Sequence, residues 1–445
     1  MTQLFGTDGV RGIANTELSA DLAFRLGQAA VAFLGRNIVV GKDTRRSGDL
    51  LEAALSAGIM SLGGHALLAG IVPTPAVALL TRELKADGGV VISASHNPPE
   101  YNGIKFFDAH GLKLTLAKEE AIEAYVSAGG ACLEELAEGE GLGISLPLEE
   151  ASEIYINQVV SSIESQGITL EGLRIALDVG HGAASFTSPE AFRRLGAQVI
   201  VVNDDFDGYD INVGCGSTHL GPLRGLVAKE QADIGIAHDG DADRVMMISP
   251  DGREIDGDVI LAVCALDLKN RCLLPHDTVV STVMCNLGFV KAMRDAGIEV
   301  VQTQVGDRHV LEAMREGGFA LGGEQSGHII MLEHNSTGDG LQVAAQFLAA
   351  CRRSAPSLAE AASVIQRYPQ VLVNVTGIDK QALPGNPRIA EEISKAEVAL
   401  GTEGRVLVRP SGTEPLVRVM VEAASAEHAQ SLAESLAETI KSELS

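Results

Sequence analysis

Short apolar runs, each ended by glycine or a polar loop, recur along this 445-residue chain. Ile38-Val39-Val40-Gly41, Val90-Val91-Ile92, Arg174 to Asp178, Ile234 to His238, Thr278 to Val283 and Glu299 to Thr303 have the length and β-branched content of buried strands. Between them apolar residues fall at helical spacing. Leu18, Leu22, Leu26 and Phe33 predict a helix capped at Asn15-Thr16, and further helices are predicted over 117–130 and 152–165. Three successive stretches repeat this strand, loop and helix order, which predicts related α/β domains in series. Beyond Tyr368-Pro369 the pattern changes: strands at Val371 to Val375, Val406 to Val408 and Leu416 to Met420 precede an amphipathic helix through Leu432, Leu436 and Ile440. The expected fold class is therefore α/β, with three similar mixed-sheet domains at 1–150, 151–252 and 253–367 and a smaller α+β domain at 368–445. A glycine-rich, acidic and weakly periodic segment at 129–147 marks the first boundary.

One segment challenges that picture, because Ala53 to Thr81 holds no Asp, Glu, Lys or Arg and exceeds the ~20 residues that span a bilayer. Gly63-Gly64-His65 and Pro73-Thr74-Pro75 interrupt it, turning it into a helix end, a short strand through Leu67 and Leu68, and a new helix with proline in its first turn. A length of 445 suits three or four domains of ~100 to 150 residues. The net charge of −25 argues against nucleic acid and anionic membrane as partners, so an anionic substrate must be met by a local basic pocket. Six scattered cysteines without a Cys-x-x-Cys pair, and a start without a signal-peptide pattern, lead to the expectation of a reducing cytoplasm.

The candidate chemistry sits at strand ends, where a rigid scaffold presents polar loops. Val90 to Ile92 leads into Ser93-Ala94-Ser95-His96-Asn97-Pro98, and Asn102-Gly103-Ile104-Lys105 follows. Ser95 is expected at the solvent-reaching edge, although serine and asparagine also close ordinary turns. Gly6-Thr7-Asp8-Gly9-Val10-Arg11-Gly12 reads as a glycine-rich loop whose backbone can approach a ligand while Arg11 meets a phosphate. Arg45, in Lys42-Asp43-Thr44-Arg45-Arg46, is expected in a supporting role.

The strand 234–238 delivers Asp239-Gly240-Asp241-Ala242-Asp243-Arg244, three carboxylates at alternate positions that can converge on one hard cation. A solvated acidic turn is the bland alternative, but charges so close repel without a cation. An EF-hand is excluded by Arg244 and Pro250 where its glycine and glutamate belong. A rival function comes from Gly180-His181-Gly182, which follows a strand and precedes Asp204-Asp205 by about 20 residues, in partial agreement with a dinucleotide fingerprint. Its third glycine is Ser185. Gly306-Asp307-Arg308-His309 follows the strand 299–303, Glu324-Gln325-Ser326-Gly327-His328 follows Gly322-Gly323, and Arg409-Pro410-Ser411-Gly412-Thr413-Glu414-Pro415 lies before the strand carrying Arg418. Arginine, hydroxyls and glycine backbone in the last segment suit a dianionic phosphate.

In order, these motifs resemble the α-D-phosphohexomutase superfamily over nearly the whole chain. The resemblance implies domains around a central cleft, and Ser95 as a phosphoserine. It implies Mg²⁺ on Asp239, Asp241, Asp243 and a phosphate oxygen on Ser95, with Arg244 paired to that phosphate. Lys105, Arg11 and His328 become candidates for proton transfer and charge stabilisation, with no base assigned. Gly306, Asp307, Glu324 and Ser326 would read the sugar, and Arg409, Ser411, Gly412, Thr413 and Arg418 would hold the phosphate that is not reacting. The implied reaction interconverts glucosamine 6-phosphate and glucosamine 1-phosphate through a 1,6-bisphosphate, which also primes the enzyme, toward UDP-N-acetylglucosamine for cell-wall precursors. Gln325 points to the amino sugar, since mannose-handling members carry Met there; phosphomannomutase and phosphoglucomutase activities are the alternatives. A homodimer is a family expectation.

Overall fold

A computed structural model describes residues 4–6, 8–132, 135–354, 358–411 and 416–445. The chain forms two compact units, 1–283 with 298–364, and 284–297 with 365–445.

In the first unit, β1 (Val10–Ile13), α1 (Ala20–Phe33), β2 (Asn37–Lys42), α2 (Gly48–Ser61), β3 (His65–Ile71), α3 (Thr74–Glu83), β4 (Gly88–Ile92), β5 (Tyr101–Asp108), α4 (Leu116–Ser127) and β6 (Ser145–Pro147) build a six-stranded sheet ordered β1-β5-β4-β2-β3-β6. Only β5 runs against the rest. The charge-free stretch 53–81 is thus an ordinary helix, strand and helix, and no helix among the described residues is long and apolar enough to cross a membrane. Two expectations need correction. Helix α1 is capped by Ser19, whose side chain accepts from the Leu22 amide, because Asn15 adopts a left-handed turn instead. Arg11 lies on β1, paired with Gly103 of β5, and not in a loop, since pairing satisfies the backbone of Val10 to Ile13.

Next come α5 (Ala151–Glu164), β7 (Arg174–Asp178), α6 (Ser188–Arg194), β8 (Gln198–Val202), α7 (Gly221–Glu230), β9 (Ile234–His238), β10 (Val245–Ile248) and β11 (Glu254–Ile255), with sheet order β11-β10-β9-β7-β8. A third set has α8 (Gly257–Asn270), β12 (Thr278–Thr282), α9 (Leu287–Asp295), β13 (Glu299–Thr303), α10 (Asp307–Gly317), β14 (Leu321–Gly323), β15 (Ile329–Met331), α11 (Gly340–Ser354) and α12 (Leu358–Ala361), with sheet order β13-β12-β14-β15. In all three sheets a parallel core is flanked by an antiparallel strand, so the fold is mixed α/β. β4 and β9 are buried along their whole length, and each ends at a polar loop.

The second unit holds β16 (Gln370–Thr376), α13 (Pro387–Leu400), β17 (Gly404–Pro410), β18 (Leu416–Ala423) and α14 (Ala426–Leu444). Its antiparallel sheet, ordered β16-β18-β17, packs on the alanine- and leucine-lined face of α14. Helix α9 belongs to this unit too, tied by Asn286, which donates to Glu422 at 3.1 Å.

Helices α1 and α2 approach closely because two glycines face backbone. A Cβ on Gly27 would lie 2.1 Å from the Leu55 carbonyl oxygen, and one on Gly58 would lie 2.0 Å from that of Phe24. Gly58→Val must push the helices apart, and is expected to lower unfolding free energy by about 2 kcal/mol or more. A thermal or urea melt that matches the parent's would refute this account of the pair.

Candidate active site

Ser95 occupies the first residues after β4 in a left-handed conformation, φ +52°, which a non-glycine residue adopts only when its surroundings hold it there. Arg45 does the holding. Its guanidinium donates to the carbonyls of Ser95 at 3.0 Å, Asn97 at 2.7 Å and Tyr101 at 3.0 Å, and also to that of Pro98. Asp43 anchors it at 2.9 Å and accepts from Ser93 Oγ at 2.6 Å, while Ser93 Oγ accepts from the Ser95 amide at 3.0 Å. Asn212 adds a donor to the Ser95 carbonyl at 2.9 Å. The loop is therefore tied through its carbonyls, leaving the serine hydroxyl free to point elsewhere.

That hydroxyl donates to Asp239 Oδ2 at 2.7 Å. Ser95 is wholly buried, which corrects its expected solvent-reaching position: the loop after β9 lies across it. A Cβ on Gly240 would come within 2.8 Å of the Ser95 carbonyl oxygen, so glycine is what admits this contact. The neighbouring His96 has Nδ1 3.4 Å from Ser95 Oγ, and burial, with Arg244 and Arg11 nearby, pushes its pKa down to about 4.

Asp239, Asp241 and Asp243 are buried, and one oxygen from each lies within 4.8 Å of those of the other two. Burial, reinforced by Asp243 and Asp241, raises the Asp239 pKa well above the carboxylate range. Burial acts on Asp241 in the same direction, but the Lys105 ammonium and the Thr74 hydroxyl outweigh it and hold that carboxyl low. Thr74, at the start of α3, donates from Oγ1 to Asp241 Oδ2 at 2.6 Å and from its amide to the Asp241 carbonyl at 2.9 Å. Lys105 on β5 donates to the same Asp241 oxygen at 2.9 Å and pairs with Asp8 at 2.9 Å and Asp243 at 3.6 Å. Burial works to strip its proton, yet these carboxylates prevail and keep it an ammonium.

The outer oxygens Oδ1 of Asp241 and Asp243 are buried without a hydrogen bond among the described residues. Oxygen donors left unsatisfied beside a carboxyl that burial has pushed toward protonation fit a small divalent cation, and the residues present pass that test.

The other sugar-side candidates converge from the third sheet. Arg244 pairs with His328 as an isolated antiparallel bridge, and Glu324 accepts from the Gly306 amide at 3.1 Å while Ser326 Oγ lies 3.4 Å from it. His328 Nε2 is buried, makes no hydrogen bond among the described residues, and stands 3.7 Å from Asp307. Arg11 donates to the Ala94 carbonyl at 3.3 Å, to Asn97 Oδ1 at 3.4 Å and to Asp8. In the second unit Arg409 and Arg418 are directly opposed across β17 and β18, and Lys380 donates to the Ser411 carbonyl at 2.7 Å. Burial and the charge of Arg418 lower the Arg409 pKa, a crowding of cations that an anion would relieve. Gly412 and Thr413 lie outside the described residues.

The glycines of the dinucleotide-like stretch have another use. Gly182 packs on the loop of the three aspartates so closely that a Cβ would lie 2.5 Å from the Gly240 carbonyl oxygen, and the Gly180 amide is taken by Asp178 at 2.9 Å. Helix α6 after it is only seven residues long. The approach these glycines allow is to the protein's own backbone.

Four further residues of the site are not singled out by the sequence: Asp8 and Asp43 stand beside the more conspicuous Arg11 and Arg45, and Thr74 and Lys113 carry no such mark. Lys113 donates to both Asp8 and Asp307.

Family profiles of phosphoglucomutase/phosphomannomutase match along the chain in order: α/β/α domain I over residues 2–131, domain II over 153–252, domain III over 256–368 and the C-terminal domain over 372–439. The phosphoglucosamine mutase of Thermobifida fusca is 51% identical over 453 residues, covering 100% of this chain and 99% of that protein. That of Clostridium acetobutylicum is 50% identical over 99% of each. Among solved structures, a phosphomannomutase-like protein of Thermus thermophilus superposes with a TM-score of 0.79 at 26% identity over 98% of both chains. An Aspergillus fumigatus N-acetylphosphoglucosamine mutase, solved with GlcNAc-6P and magnesium, gives 0.71 at 18% identity over 99% of this chain and 96% of that one. The fold is that of a phosphohexomutase. Within that class the chain belongs to the bacterial phosphoglucosamine mutase family.

Because a proton on Asp239 competes with a cation, Mg²⁺ is expected to bind the triad more tightly at about pH 8 than at about pH 5.5, with proton release. Calorimetry in buffers of different ionisation enthalpy reads this directly. Thr74→Val, which strips one orienting hydrogen bond from Asp241, should weaken the same binding about tenfold. Affinity that ignores both pH and Thr74 would remove the basis for placing the cation here.

Proposed function

We propose that this protein interconverts glucosamine 6-phosphate and glucosamine 1-phosphate through a phosphorylated Ser95 and a 1,6-bisphosphate, supplying the precursor of UDP-N-acetylglucosamine. The observation that carries the reading is the buried Ser95 hydroxyl, 2.7 Å from Asp239 at the head of three clustered carboxylates, in a chain about half identical to phosphoglucosamine mutases over its full length.

Direct transfer between the two ends of one sugar has no workable geometry, so the phosphoryl group must pass through the protein. The O–P bond at Ser95 breaks as a new one forms to the free sugar hydroxyl, whose proton departs to a base. The bisphosphate then turns, the Ser95 oxygen takes its other phosphoryl group as that sugar O–P bond breaks, and the freed sugar oxygen takes back the proton held by the base. Asp239, Asp241, Asp243 and the phosphate on Ser95 would hold a Mg²⁺ ion, which when bound neutralises charge on the transferring group. Lys105, kept protonated by its carboxylates, and Arg11 serve as fixed positive charge. His328, whose Nε2 has no hydrogen-bond partner among the described residues, is then the group best suited to take the hydroxyl proton. Arg244 would meet the phosphate on Ser95; Gly306, Asp307, Glu324 and Ser326 would read the sugar. Arg409, Ser411 and Arg418, with Gly412 and Thr413 on the same segment, would bind the phosphate at rest.

Ser95→Ala should lower turnover at least about a thousandfold and abolish label uptake from a hexose 1,6-bisphosphate. A labelled, active variant sinks the phosphoserine. For the substrate, kcat/KM is expected to be highest for glucosamine 6-phosphate, ahead of glucose 6-phosphate and mannose 6-phosphate. If mannose 6-phosphate leads, the amino-sugar assignment fails while the phosphoserine chemistry stands.

A further inference from the structure

Charged side chains of alternating sign, Asp241, Lys105, Asp8, Lys113 and Asp307, run from the acidic triad to the sugar-reading loop, where the His328 imidazole stands 3.7 Å from Asp307. Lys113 stands at the crossing point. It lies on the connection between β5 and α4, and its ammonium donates to Asp8 Oδ1 and to Asp307 Oδ2, with 12% of its side chain exposed. Burial disfavours its charge, but Asp307 and Asp8 outweigh this and hold it protonated.

Asp307 is the first residue of α10, and the next residue repeats the pairing: Arg308 meets Glu119 of α4 at 2.6 Å. The first turn of α10 is therefore gripped from outside at two consecutive side chains. Immediately before it, Gly306 sits at φ +128°, and its amide donates to Glu324 Oε1 at 3.1 Å. Gly306 thus links the two residues: its amide bonds the Glu324 carboxylate and its chain continues directly into Asp307.

We propose that Lys113 is a positioning residue for sugar selection: by fixing Asp307 it keeps the Gly306 amide on Glu324, and so sets the carboxylate that meets the sugar substituents. The inference rests on the reading of Glu324 as a sugar contact. Removing Lys113 leaves the half-buried Asp307 beside fewer cations, a situation that a chain relieves by moving the charge toward water. A displacement of an ångström at a contact residue is enough to cost up to about a hundredfold in rate.

The test compares kcat and KM for glucosamine 6-phosphate and glucose 6-phosphate in Lys113→Met, Lys113→Arg and Glu324→Gln, with a thermal melt of each. Lys113→Met is expected to raise KM for glucosamine 6-phosphate about tenfold, to leave kcat within about threefold, and to narrow the preference between the two sugars by about the same tenfold. Lys113→Arg should keep most of the preference, because it restores the charge. Glu324→Gln should narrow it as well, and the Met and Gln changes combined should narrow it no further than one alone. If Glu324→Gln narrows the ratio and Lys113→Met leaves it intact, or lowers both sugars equally, Lys113 is only a structural ion pair. If Glu324→Gln leaves the ratio unchanged, the loop reading and this proposal fall together. Should the Met variant not fold, Lys113→Gln takes its place under the same criteria.

Discussion

Three carboxylates buried against one another and against Ser95 are the constraint to which the rest of the first unit answers. Negative charge in a dry interior is costly, and the protein offsets it locally instead of avoiding it. Lys105 reaches in from β5, Thr74 from the start of α3, and Arg244 from the aspartate loop itself, so each of several elements contributes one compensating group. The compensation is incomplete: burial and its two neighbours still raise the Asp239 pKa, and two outer oxygens still lack a hydrogen bond among the described residues. That residual deficit is what gives a cation something to bind.

Much of this is legible in the amino-acid sequence alone. Strand ends, the buried helix and strand hidden in the charge-free stretch, and the alternating aspartates are local patterns, written within a few residues of one another. The residues that sequence does not reveal act across distance in the chain. Thr74 lies 167 positions from Asp241, Lys113 lies 194 from Asp307, and a threonine inside an apolar stretch or a lone lysine in a turn carries no mark of its partner. Asp8 shares its segment with the more conspicuous Arg11, yet it is Asp8 that binds Arg11, Lys105 and Lys113 together.

Two departures from the sequence expectation share a cause. The glycines at 180 and 182 look like a phosphate cradle because close backbone approach has the same spelling whether the visitor is a ligand or another loop. The end of β4 predicts an open edge for Ser95, but a second strand from a different sheet ends opposite it and closes that edge. Sequence reports where a strand stops; only packing reports what stops against it.

The burial of Ser95 has a consequence for what kind of catalyst this can be. A phosphoryl group parked on an oxygen open to bulk water leaks away by hydrolysis, and a protein that parks it there is a phosphatase. The Ser95 oxygen is sealed beneath the loop that follows β9, with no surface available to solvent. A phosphate carried on it would be shielded between one sugar and the next, so that the group is lent and recovered instead of lost to water. The loop that crowds Ser95 would thereby decide between two fates of such a bond.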